Sequence, residues 1–114
     1  MSLAKLTAAK LSQDEISELI QRTVDGLQGI PGLERAILFG SAARGEMSEA
    51  SDLDVVLIFD SVSHAKEGAR LAQWQRVKPL WPTDFLSTDR ATYETRSHLG
   101  GVFFCAREEG RDIF

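Results

Sequence analysis

Ile16, Leu19, Ile20, Val24 and Leu27 recur with helical spacing, placing their side chains on one face of a helix. Ser12 and Glu15 precede them as an S-x-x-E capping box, which satisfies free amides at a helix start. The pattern predicts a helix over residues 13–28, ended by Gly29-Ile30-Pro31-Gly32. The periodicity then shortens. Residues 35–39 read as a strand, and Gly40-Ser41 turns the chain into a short helical segment at residues 42–44. After a polar loop over residues 46–51, residues 52–59 form the strongest strand pattern in the chain. Leu53, Val55, Leu57 and Phe59 line one side of it, and Val56 and Ile58 line the other. A strand that is apolar on both faces belongs in the middle of a sheet.

Ser63 is the expected cap of a second helix over residues 64–77, with Ala65, Ala69, Ala72 and Trp74 facing inward and Pro79 ending it. Trp81-Pro82 leads into a third strand at residues 83–87. Short helices at 89–97 and 102–109, separated by Gly100-Gly101, and a terminal strand at 112–114 complete the pattern. This order predicts an α/β (α+β) domain, a small mixed β-sheet flanked by helices. Residues 1–12 read as a flexible N-terminus and residues 13–114 as the folded domain.

The connections have a geometric consequence. The short link between the first two strands permits an antiparallel pair, and the helix between the second and third permits a parallel crossover. The end of strand one and the starts of strands two and three then meet at one end of the sheet. Gly40-Ser41, Asp52, Asp54 and Asp84 are expected there together.

Aspartate is a poor strand former, so a core strand opening on Asp52 and Asp54 asks for an explanation. Two residues apart on a strand, their side chains leave the same face with Cα atoms about 6.6 Å apart. Like charges roughly 5 Å apart oppose each other by about 3 kcal/mol at an effective dielectric of 20, and a divalent cation removes that cost. Magnesium takes oxygen ligands and commonly combines one or two carboxylates with substrate phosphates. Taken alone, a D-x-D is as readily a solvated loop end.

Gly40 permits unusual backbone angles and close approach, and the amides after it would face an anion. Ser41 adds a hydroxyl, and Arg44 a guanidinium able to bind phosphate. Asp84 stands at a strand start, where it would ligate a metal or accept a proton from an attacking hydroxyl. His64 and His98 read as surface or capping residues without partners, and Tyr93, Trp74 and Trp81 as packing.

Composition narrows the functions. The 114 residues, 43% hydrophobic and 26% charged, form one domain with a core of ordinary size. The net charge of −4 argues against strong nucleic-acid binding, which needs clustered cations. Cys105, the single cysteine, cannot form an internal disulfide and reads as a small core residue. The first ten residues lack the apolar stretch of a signal peptide. No run is long enough to span a membrane, so a cytoplasmic protein is expected.

Gly40-Ser41, ten intervening residues, then Asp52-Leu53-Asp54 resembles the G-S-x10-D-x-D signature of minimal nucleotidyltransferases, small members of the DNA polymerase beta-like superfamily. Ala43, Arg44, Gly45 and Ser51 extend the likeness. Asp84 fits the family's third acid, and Glu109-Gly110-Arg111-Asp112-Ile113-Phe114 looks like its usual close. The chain departs from the pattern in its long helix at 64–77 and in Trp81-Pro82. The resemblance implies two Mg2+ ions on Asp52, Asp54 and Asp84. It also implies ATP or another nucleoside triphosphate seated on Gly40, Ser41 and Arg44, and transfer of a nucleoside monophosphate to a hydroxyl. Members of this size resemble antitoxins paired with a helical HEPN-type toxin, whose tyrosine they can adenylylate. A second reading is a catalytically weak module that docks on a helical partner and inhibits it. Sugar- or antibiotic-directed enzymes of the family usually carry an added acceptor domain, for which this chain has no room. A homo-oligomer is compatible with the sequence. The acceptor and the preferred base stay open, and Val56 and Ile58 on the acid face indicate that something covers it.

Overall fold

The computed structural model describes residues 9–75 and 81–114, apart from the side chains of Ala69, Gln73, Trp74 and Gln75. The expectations for Pro79, for the end of the second helix, for the side chains of Ala69 and Trp74, and for a flexible start over residues 1–8 lie outside the described residues.

The elements are α1 (Gln13–Gly26), β1 (Leu33–Phe39), β2 (Leu53–Phe59), α2 (Val62–Gln75), β3 (Thr83–Asp89), α3 (Arg90–Arg96), α4 (Gly101–Glu109) and β4 (Arg111–Asp112). The capping box at Ser12 and Glu15 forms in both directions. The four strands make one sheet in the order β3-β2-β1-β4. β1 runs antiparallel to β2 and to β4, whereas β2 and β3 are parallel. This is the mixed sheet expected from the connection lengths, and β2 occupies an inner position as its apolar faces require.

The sheet is covered on both sides. Leu53, Val55, Leu57 and Phe59 of β2 pack with Ile16 and Ile20 of α1 and Ala72 of α2 in the larger core. Gly68 brings α2 down onto β2, because a Cβ there would meet Phe59 Cζ at 1.9 Å. On the opposite side Ile37, Val56 and Ile58 pack beneath Tyr93 of α3 and Ala106 of α4, with Phe103 alongside. Tyr93 and Phe103 meet edge to face with ring centroids 5.9 Å apart, a favourable arrangement for aromatic quadrupoles. The cover over Val56 and Ile58 is therefore supplied by the chain's own C-terminal helices.

Several local expectations change. Ser61, not Ser63, caps α2: its hydroxyl accepts the His64 amide at 3.2 Å, and its carbonyl accepts that of Ala65. The helix accordingly starts earlier. β3 continues to Asp89, whose side chain accepts the Thr92 amide and hydroxyl and caps α3. The terminal strand is shorter and earlier than residues 112–114, although the Ile113 amide still donates to the Ala36 carbonyl at 2.8 Å. Cys105 is exposed, because Ala106 takes the inward position on α4. His64 has a partner after all, with Nδ1 lying 2.6 Å from Asp60 Oδ1 one helical turn away.

Candidate functional site

Topology brings the candidate residues to one end of the sheet. Asp54, the second residue of β2, is the register partner of Asp84 on β3 and of Phe39 on β1. Gly40 follows Phe39 directly, and Asp52 stands just before β2. The strands are thus joined around Asp54. Phe39 ends β1 on one side, and Asp84 begins β3 on the other.

Gly40 makes the close approach possible. Its φ is +75°, and a Cβ would lie 2.7 Å from Asp54 Oδ2, too near for any side chain to stay without displacing the carboxylate. The residues after it form a hydrogen-bonded turn, not the expected short helix. The amides of Arg44, Gly45 and Glu46 donate to the carbonyls of Gly40, Ala42 and Ser41 at 3.2, 3.2 and 2.8 Å. The amides of Ser41, Ala42 and Ala43 are left unused by this turn. Successive free amides of this kind make an anion-binding concavity.

The carboxylates carry the electrostatic signature. Asp54 is half-buried and has its carboxyl pushed above the usual aspartate range. Burial is the largest cause, followed by the negative charges of Asp84 and of Asp52. Among the described residues no cation pairs with any of the three. Nor do three His, Cys, Asp or Glu side chains there cluster tightly enough to hold a metal unaided. Such a donor set still fits a hard divalent cation, which takes one or two carboxylates and completes its shell with water and phosphate.

Arg44 is placed differently from the expectation of a phosphate ligand. Its Nε donates to Glu46 Oε1 at 2.7 Å and its Nη1 to Glu109 Oε1 at 3.1 Å. These acids raise its already high pKa, with the Glu46 hydrogen bond the largest cause. Arg44 thereby ties the Gly-Ser turn to the C-terminal end of α4. Sequence reasoning missed Glu46 and Glu109 as its partners, although Glu109 opens the terminal E-G-x-x-I-F stretch. Gly110, next in the chain, packs so closely that a Cβ would meet the Ala106 carbonyl at 2.2 Å and Ile37 Cγ2 at 2.4 Å. His98 is exposed and lines a separate open cavity of about 410 Å³ with Arg35, Tyr93 and Arg107.

A family model described as a nucleotidyltransferase domain matches residues 13–101. The chain belongs to the nucleotidyltransferase family. Among solved structures, a candidate nucleotidyltransferase from Sulfolobus solfataricus is similar, with a TM-score of 0.55 and 19% identity over 88% of this chain and 80% of that one. The toxin–antitoxin MntA–HpeT mutant matches more loosely, with a TM-score of 0.44 and 17% identity over 91% of this chain and 73% of the other. No curated protein matches the sequence. The first neighbour bears out the fold, and the family match spans Gly40, Ser41 and the three aspartates. No described helix of this nucleotidyltransferase domain is long and apolar enough to cross a membrane.

Proposed function

We propose that this chain transfers a nucleoside monophosphate, AMP from ATP, to a hydroxyl of a partner protein, and that it does so as the antitoxin of a HEPN-type helical toxin. One observation supports this above the others. Asp54 sits between the like charges of Asp52 and Asp84, against a glycine whose missing Cβ leaves its carboxylate room. Asp52, Asp54 and Asp84 would hold one or two Mg2+ ions. Bound there, Mg2+ supplies positive charge to the phosphates and to the developing pyrophosphate.

The chain's own groups do the positioning. The Ser41, Ala42 and Ala43 amides and the Ser41 hydroxyl receive phosphate oxygens, and Arg44 joins them by exchanging a carboxylate partner for phosphate. The acceptor oxygen forms a bond to the α-phosphorus while the bond from that phosphorus to the bridging oxygen breaks. Pyrophosphate leaves, and the hydroxyl proton passes to the Asp84 carboxylate. The reading puts the protein in the cytoplasm, where ATP and Mg2+ are abundant.

A docking role without catalysis is the second reading. Leu99 is 77% exposed, and Val102 and Phe104 of α4 are exposed as well, apolar side chains available to a protein partner. Incubation with α-labelled ATP, Mg2+ and the product of the adjacent gene separates the two. Label on the partner that disappears with Asp52→Asn supports transfer. Inhibition of the partner that persists in Asp52→Asn without label supports docking. Neither label nor inhibition overturns both.

A further inference from the structure

Asp52 lies just outside the β2 ladder and is exposed. No described side chain pairs with it. What fixes it comes from the other side of the site. The Trp81 indole Nε1–H donates to the Ser51 carbonyl at 2.6 Å. Two residues beyond Ser51 and one beyond Trp81, the Leu53 amide donates to the Pro82 carbonyl at 3.0 Å.

These two bonds hold the peptide groups on both sides of the Asp52 Cα. Each peptide group is planar, so a bond to its oxygen or its N–H restrains the whole unit, and only φ and ψ of Asp52 lie between the two units. With both units held, the Asp52 Cβ has one direction. Ser51 is anchored further by the Ser48 turn, its amide donating to the Ser48 carbonyl at 3.0 Å and its hydroxyl accepting the Ser48 amide at 3.0 Å. Trp81 is itself steadied. Its ring packs against the larger core, and its carbonyl accepts the Thr83 hydroxyl at 3.1 Å. Asp84 follows Thr83 directly.

We infer that Trp81 is a positioning residue for Asp52, setting that carboxylate relative to Asp84 through the Ser51 carbonyl. The segment leading into β3 therefore carries one acid of the site and aims another. This rests on the metal-dependent reading of the same site, and adds to it a residue that touches neither phosphate nor metal.

The test is Mn2+ binding to the full chain, followed by the paramagnetic resonance signal of free Mn2+ at a temperature where every variant is folded by circular dichroism. Trp81→Phe keeps an aromatic ring and removes the N–H, whereas Trp81→Leu removes both. If the hydrogen bond is what matters, each weakens Mn2+ binding by about three- to tenfold, the equivalent of one ordinary hydrogen bond. Ile20→Val, a core substitution on α1, lowers the melting midpoint and leaves Mn2+ affinity unchanged. Wild-type affinity in Trp81→Phe overturns the inference while leaving the metal reading intact. Absence of Mn2+ binding in the unsubstituted chain overturns both. A second measurement needs no substitution: Mg2+ should slow solvent exchange of the Trp81 indole proton, and an unchanged rate counts against the inference.

Discussion

The two ends of the sheet use the same residue type under opposite electrostatics. At the far end, Asp60 is held by His64, Asp89 caps α3 through Thr92, and Glu34 receives the Arg90 Nε at 2.8 Å. Asp60 and Asp89 consequently lie below the usual aspartate range, with the His64 hydrogen bond the largest cause for the first and the Thr92 side-chain bond for the second. At the near end Asp54 lies above that range, and its neighbours are acids. Carboxylates that serve the fold are given donors. Those around Asp54 have been given each other, an arrangement that opposes the charge on Asp54 and that the proposed cation would relieve.

The contrast breaks most visibly on substitution. Asp54→Asn should lower nucleotidyl transfer by about a thousand-fold, the loss of several kcal/mol of transition-state stabilisation. The same change should raise the melting midpoint of the metal-free protein by a few degrees, since it removes a repelled charge. Asp60→Asn should do the reverse, lowering the midpoint and sparing transfer. Calorimetry and a labelled-nucleotide assay on the same preparations check both.

Next in size is Gly40→Ala. A left-handed backbone costs a non-glycine residue about 1–2 kcal/mol, and the new methyl would displace Asp54 Oδ2. Transfer should fall at least about tenfold together with stability, read by denaturant titration. Asp89→Ala should lower the melting midpoint through the lost α3 cap and leave kcat unchanged, confining its effect to the far end.

The smallest effect is on the pH dependence of stability. Asp60 and Asp89, depressed when folded, contribute stability that is present above the unfolded aspartate value and lost as pH falls through their folded values. Asp54, raised when folded, contributes stability that is complete below the unfolded value and lost as pH rises through its folded value. The metal-free protein should therefore show a dip in melting midpoint as pH rises above 3.8, the usual aspartate value. Asp54→Asn, or millimolar Mg2+, should abolish that dip.

Much of this was legible beforehand. The relative directions of the first three strands followed from connection length, and the meeting of Gly40, Asp54 and Asp84 at one end followed from those directions. The inner place of β2 followed from its two apolar faces. What stayed hidden depended on side chains far apart in sequence or on single-turn details. Arg44 and Glu109 are 65 positions apart, and no local pattern pairs them. Residues 42–44 carry helix-forming side chains, yet the chain turns away after Gly45, whose φ is +70°, before a helix can form. Cys105 and Ala106 are neighbours of similar size, and only the docking of α4 on Ile37 decides which one points inward. Trp81 read as packing, and half of its role was missed because its acceptor is a backbone carbonyl, which any residue could have supplied.

The C-terminal stretch has a practical consequence for how little of this protein can stand alone. The family match stops at residue 101, but Ala106 and Phe103 lie on Ile37 and Val56, and β4 occupies the outer edge of β1. Trimmed back to the matched part, the polypeptide would show water a greasy patch and an unzipped strand margin, both of which recruit further copies. Such a fragment should collect in inclusion bodies when the whole chain does not.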